Sequence, residues 1–186
     1  LGDIDTVDLT ALPQPQGPAR AWTLAEARAL FQGELRGRDF ENGKRMFDAG
    51  RCVACHRFAG SGGRSGPDLG SVGQRYSVED ILTAIIDPSD SISEQYQASI
   101  LRMQDGSQLI GRVIYHNTDE IAVASNPYDF AQLSKHPAAQ VESIEPSPTS
   151  LMPPGTINLM NEEELKDLMA YLLSGGNSRH AVFQAR

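Results

Sequence analysis

Residues 52–56 read Cys-Val-Ala-Cys-His, and Cys52 and Cys55 are the only cysteines among the 186 residues. One pair is too few for a disulfide scaffold, and a structural zinc site needs four ligands, usually from two such pairs. Neither a second CxxC nor an HxxxH is present to supply them. A thioredoxin-like redox pair would sit at a strand-to-helix turn, whereas the residues before Cys52 read as a helix. What remains is the attachment signature for c-type haem. Its two thiols are spaced for the two vinyl groups, and its histidine is placed to reach the iron from the same turn.

Outward from this motif, the spacing predicts a helix over about 40–50, with Phe40, Gly43, Met46 and Phe47 on one side and Gly50 as its stop. Further upstream, residues 22–36 suit an amphipathic helix capped by Thr23 with Glu26 three positions on. Downstream, AGSGGRSGPDLGSVG reads as a glycine-rich loop without regular structure. A third helix follows, capped by Ser77 with Asp80 at its third position and ended by Pro88. From about residue 95 the period changes to two: YQASILRM, the turn pair Asp105-Gly106, then SQLIGRVIYH predict a hairpin, and EIAVAS and AQVESIE further strands. The helical period returns after Asn161 with Leu165, Leu168, Met169 and Leu172, and Gly175-Gly176 closes it.

Composition sets the outer bounds. Hydrophobic residues make up 40% and charged residues 22%, enough for a core and against wholesale disorder. Aromatics are only 6%, so a bulky apolar cofactor could supply part of the interior. A net charge of -8 argues against nucleic acid as a partner. No run approaches the eighteen apolar residues of a membrane span. The charge is uneven, however: residues 36–75 hold eight basic residues against four acidic ones, net +4, leaving -12 for the remainder. A solvated basic face and a docking patch for an acidic redox partner both fit that island. Residues 1–20, containing ALPQPQGPAR, read as a linker or a processed N-terminus.

A sixth iron ligand must come from elsewhere. Met46 and Met169 suit helix cores, and Met103 falls in the β segment. Met152 stands in Ser-Leu-Met-Pro-Pro-Gly, where Pro153 and Pro154 hold it extended and stiff, as a ligand loop requires. It is the first candidate, with Met160, a histidine or an open site as the other readings. His116, His136 and His180 have the settings of solvated loop histidines.

Together, Gly43…Phe47, CVACH, GPDLGSVGQRYS, the helix ending IIDPS, the β segment with its DG and GRV, SLMPPG and EELKDLMAYL carry a family likeness. From Gly43 to Leu173 the chain resembles the Pirellula/Verrucomicrobium-type c-haem domain, a variant of class I cytochrome c. The resemblance implies a mainly α, class I cytochrome c fold with a small antiparallel β insert, α+β overall. It implies 21–94 as the N-terminal half of the haem domain, 95–149 as the insert, 150–176 as the Met loop and last helix, and 177–186 as a tail. Setting the insert aside reduces the 96 positions between His56 and Met152 to 41, the span of a plain small cytochrome. One covalent haem c with its iron is implied, bound by Cys52, Cys55, His56, Pro67 and Met152, with His56 and Met152 on the metal and Pro67 bracing the histidine turn. The expected function is single-electron transfer and not enzymatic turnover. Rival expectations are a domain excised from a larger dehydrogenase and a haem enzyme or gas-binding protein with an open sixth site. The implied partner is a redox protein or an attached dehydrogenase module, and the implied location is periplasmic or otherwise exported.

Overall fold

A computed structural model describes residues 8–185; the beginning of the expected linker, residues 1–7, and the last residue of the expected tail lie outside the described residues. The chain divides into two compact units, one holding the residues up to Asp87 together with those from Pro154 onward, the other Pro88–Pro153.

The first unit is helical. Its elements are α1 (Leu24–Ala29), α2 (Phe40–Ala49), α3 (Cys52–Cys55), α4 (Val72–Arg75), α5 (Val78–Ile86) and α6 (Glu162–Leu173). Capping boxes start three of them: Thr23 with Glu26, Ser77 with Asp80, and Asn161 with Glu164. Helix α1 stops well short of residue 36, its Leu30 cap already turning the chain. Helices α2 and α6 cross where Gly43 has no side chain, since a Cβ there would strike the Asp167 carbonyl and the Tyr171 Cβ, 2.8 Å away. Around that crossing Phe58 packs on Tyr171 with ring centroids 4.9 Å apart, and Phe47 on Phe58 at 5.3 Å. Two buried carboxylates serve helix ends. Asp167 accepts from the Asp39 backbone N–H at 3.1 Å and the Asn42 side chain at 2.8 Å. Glu164 accepts from the backbone N–H of Gln16 and of Asn161, which ties the proline-rich segment to α6. Trp22 donates its indole N–H to the Met160 carbonyl at 3.1 Å.

The second unit is a five-stranded antiparallel sheet in the order β4-β3-β2-β1-β5, formed by β1 (Ser99–Met103), β2 (Gln108–His116), β3 (Glu120–Ala124), β4 (Ser134–Pro137) and β5 (Val141–Pro146). Strand β2 serves two ladders: Leu109 opposes Leu101 of β1, and beyond it Val113 opposes Val123 of β3, with a bulge before Tyr115. Leu101, Met103, Ile121 and Val123 make its core. On β3, Ala122 and Ala124 are fully buried as well. The two ends of the unit are fastened together: Ser99 pairs with Pro146, Ser147 N–H donates to the Ala98 carbonyl at 2.8 Å, and Ser150 N–H to the Ser89 hydroxyl at 3.1 Å.

This architecture corrects two expectations. The chain is not a mainly α fold with a small insert: helix accounts for 30% and strand for 17%, the latter in a five-stranded sheet. Helix falls short because α1 covers only Leu24–Ala29 of the expected 22–36, and strand gains because β4, Ser-Lys-His-Pro, too short and polar to read as a strand, pairs with β3 and extends the sheet. Nor is His136 a solvated loop residue, for it lies on β4 opposite Ile121 with its Nε2 buried and without a hydrogen-bond partner.

Candidate functional site

The attachment motif is built almost entirely from local contacts. Helix α2 ends when Gly50 N–H donates to the Met46 carbonyl at 2.9 Å, and Arg51, with φ at 60°, reverses the chain. The single turn of α3 then puts Cys52 and Cys55 three residues apart on one face. His56 leaves that turn in extended conformation, its N–H donating to the Cys52 carbonyl at 2.9 Å. The glycine-rich segment folds back over it: Gly63 N–H donates to the Val53 carbonyl and Gly66 N–H to the Cys55 carbonyl, both at 2.8 Å. Its glycines serve close approach more than flexibility. A Cβ on Gly66 would lie 2.7 Å from His56 Cε1 and 2.9 Å from Nδ1.

His56 Nδ1 lies 2.8 Å from the Pro67 carbonyl oxygen. A carbonyl only accepts, so Nδ1 carries the proton and the lone pair is left on Nε2. Burial holds the imidazole below its ordinary pKa, outweighing the opposing pull of the Pro67 carbonyl, which keeps the ring neutral. The cysteines are free thiols. Burial pushes the Cys52 thiol up to about 12, with Cys55 and Asp48 adding to the rise. Burial raises the Cys55 thiol too, against a hydrogen bond with Ser65 that lowers it. A redox-active CxxC needs the opposite, a thiol depressed towards the thiolate. Two neutral thiols on one face beside an imidazole with its Nε2 lone pair form a donor set that fits a c-type haem.

Cys52, Cys55, His56 and Pro67 thus stand together in the first unit. Met152 belongs to the second, near its end, half-buried, with its N–H on the Ser150 hydroxyl at 3.1 Å and Pro153 following. Met160 is fully buried in the first unit, its methyl close beside Gly50. Gly66 belongs to the site as well, which its place in GPDLGSVGQRYS does not by itself predict. The only signal was its place before Pro67, which suggests a turn and not a ring lying against its Cα.

Residues 40–109, less than half of the chain, match the family model for cytochrome c. The matched stretch runs from α2 through the motif into β2. No curated protein matches the chain. The match supports a cytochrome c-type haem domain; the matched family binds haem c with its iron covalently, and Cys52 and Cys55 stand here in a CxxC pattern. Electron transfer to redox partners is the work of such domains. Among the described residues no helix is long and apolar enough to cross a membrane.

Proposed function

We propose that the chain is a one-haem, single-electron carrier and not an enzyme, with Cys52 and Cys55 holding the haem as thioethers, His56 Nε2 as the proximal ligand and Met152 as the distal one. The observation that carries this reading is the His56–Pro67 hydrogen bond, which fixes the tautomer, orients the ring and raises the basicity of Nε2. When bound, the haem iron supplies a one-electron couple. The remaining work belongs to the chain. Gly66 leaves the imidazole room, and partial burial favours its unprotonated form. Ser150 and Pro153 stiffen the backbone on either side of Met152. A thioether from Met152 would favour the reduced iron and raise its potential, and together with His56 it would leave no position for a substrate. The likeness to the Pirellula/Verrucomicrobium-type haem domain, with SLMPPG at the ligand loop, supports the same ligand pair. The partner is a redox protein or a dehydrogenase module of the same polypeptide. Thioether formation on reduced thiols supports an exported, periplasmic setting in which both cysteines escape disulfide formation.

Absorption spectra of the oxidised and reduced protein test haem type and ligation together. The haem should resist acid-acetone extraction, become extractable or absent when Cys52 and Cys55 are both replaced by Ala, and bind carbon monoxide poorly when ferrous. Covalent haem in the double variant would refute the attachment, and ready carbon monoxide binding would refute the distal ligand.

A further inference from the structure

Residues 14–22 lie ahead of Gly43, where the family likeness begins, and outside the stretch 40–109 that matches the family model. They nevertheless form a strap along residues 155–160 and the start of α6. Arg45 donates to the Gln14 carbonyl at 2.9 Å, and the N–H groups of Gln16 and Gly17 meet the two oxygens of Glu164 at 2.7 and 3.3 Å. Asn161 donates its side-chain amide to the Gly17 carbonyl at 3.0 Å. Arg20 N–H donates to the Asn158 carbonyl at 2.7 Å, and Trp22 N–H to the Asn158 side-chain oxygen at 3.4 Å. The Trp22 indole N–H donates to the Met160 carbonyl at 3.1 Å, and with Trp22 5% exposed and Met160 fully buried, water does not compete for that bond. The turn's own backbone bonds, Asn158 N–H to the Gly155 carbonyl and Met160 N–H to the Ile157 carbonyl, both at 3.0 Å, shape it without attaching it to anything. Along the chain this turn follows Met152 directly. Pro153 and Pro154 stand between them, with fixed φ and no N–H, so they transmit a position but offer no backbone donor to secure it.

We propose that this strap, through Trp22 above all, is the positioning element for the distal ligand: by holding the Asn158 and Met160 carbonyls it keeps the loop that carries Met152 where its thioether closes the sixth site. The proposal deepens the ligand assignment above and rests on it. A thioether is a neutral donor on a flexible side chain, so its retention depends on the backbone that presents it. Attached and detached forms of the loop are in equilibrium, and an outside ligand of the iron binds only the detached form. Its apparent affinity therefore scales with the detached fraction. Without the indole donor the Met160 carbonyl is buried and unpaired while the loop is attached, whereas water satisfies it once the loop swings away. That difference raises the detached fraction about 10-fold.

The experiment titrates the ferrous holoprotein with carbon monoxide, and records the sulfur-to-iron band of the ferric form and urea unfolding alongside. Trp22→Phe keeps an apolar ring and removes the donor. It should tighten the apparent carbon monoxide affinity about 10-fold and weaken the sulfur-to-iron band. Gln16→Pro, which deletes the Gln16 N–H in a segment that already holds Pro13, Pro15 and Pro18, should shift both readouts in the same direction. Met160→Ala keeps the carbonyl that Trp22 holds and should shift neither. In a Met152→Ala background, with no thioether left to hold, Trp22→Phe should add nothing. A Trp22→Phe protein with a lower urea midpoint and an unchanged carbon monoxide affinity assigns Trp22 to stability alone and overturns the proposal. So does an equal gain in the Met152→Ala background, which would make the strap a cover over the site and not a holder of the ligand. A parent protein that binds carbon monoxide as readily as Met152→Ala overturns the ligand assignment itself; that comparison is made first, so the two failures are separable.

Discussion

Gly66 and His56 meet at a separation that no side chain can share. In Gly66→Ala the new methyl must displace the imidazole or the backbone that leads to Pro67, and overpacking of this kind costs about 1–3 kcal/mol. The expected outcome is a lower melting temperature, together with changed g-values in the electron paramagnetic resonance of the oxidised protein, since ring orientation changes with it. A stable variant with an unaltered spectrum would deny Gly66 a part in setting the ring. The methionines allow a second test. Met152→Ala should remove the weak sulfur-to-iron band of the oxidised protein, lower its potential and open the ferrous form to carbon monoxide. Met160→Ala should leave all three unchanged and cost about 2–5 kcal/mol in urea unfolding, because that side chain is fully buried. The reverse pattern would transfer the ligand to Met160.

Helices were the legible part of this chain. Thr23, Ser77 and Asn161 announce three starts by a local rule, a side-chain oxygen followed three residues later by an acid, and the boxes form at those positions. The Asp105-Gly106 pair marks the turn between β1 and β2 for the same reason, its conformation being fixed by its own residues. Legibility ends where a partner is remote. Nothing near Gln16 reveals that its N–H will find Glu164, and nothing in Ser-Lys-His-Pro shows that Ile121 will lie opposite. The attachment turn could be read because its contacts are local, whereas the sheet's extent depends on pairings across many residues. At this scale Asp167 is the exposed prediction: it holds the start of α2 through Asp39 and Asn42. Asp167→Ala should cost about 1–3 kcal/mol in chemical denaturation for the donors it leaves unpaired, with the absorption spectrum unchanged. A loss of haem in that variant would mean that α2 does more than pack.

For the molecule as a whole, sequence patterning foresaw helices followed by strands and a last helix, but not the weight of the sheet. One feature of that sheet reaches beyond it. Ser89 meets Ser150 and Ala98 meets Ser147, so Pro88–Pro153 leaves its unit close to where it entered. For the helical unit, which needs α6 from beyond that segment, the folded sheet is a short tether; unfolded, it is a long slack loop. Closing a loop of that length costs about 3–4 kcal/mol in chain entropy. Leu101→Ala, at a fully buried core position of the sheet, should therefore do more than destabilise its own unit by about 2–5 kcal/mol. Hydrogen exchange in α2 and α6 should quicken too, although neither helix contains the altered residue, whereas unchanged exchange there would show that the units fold independently. By shortening the path from α5 to α6, the sheet can thus govern how readily the haem-bearing helices come together.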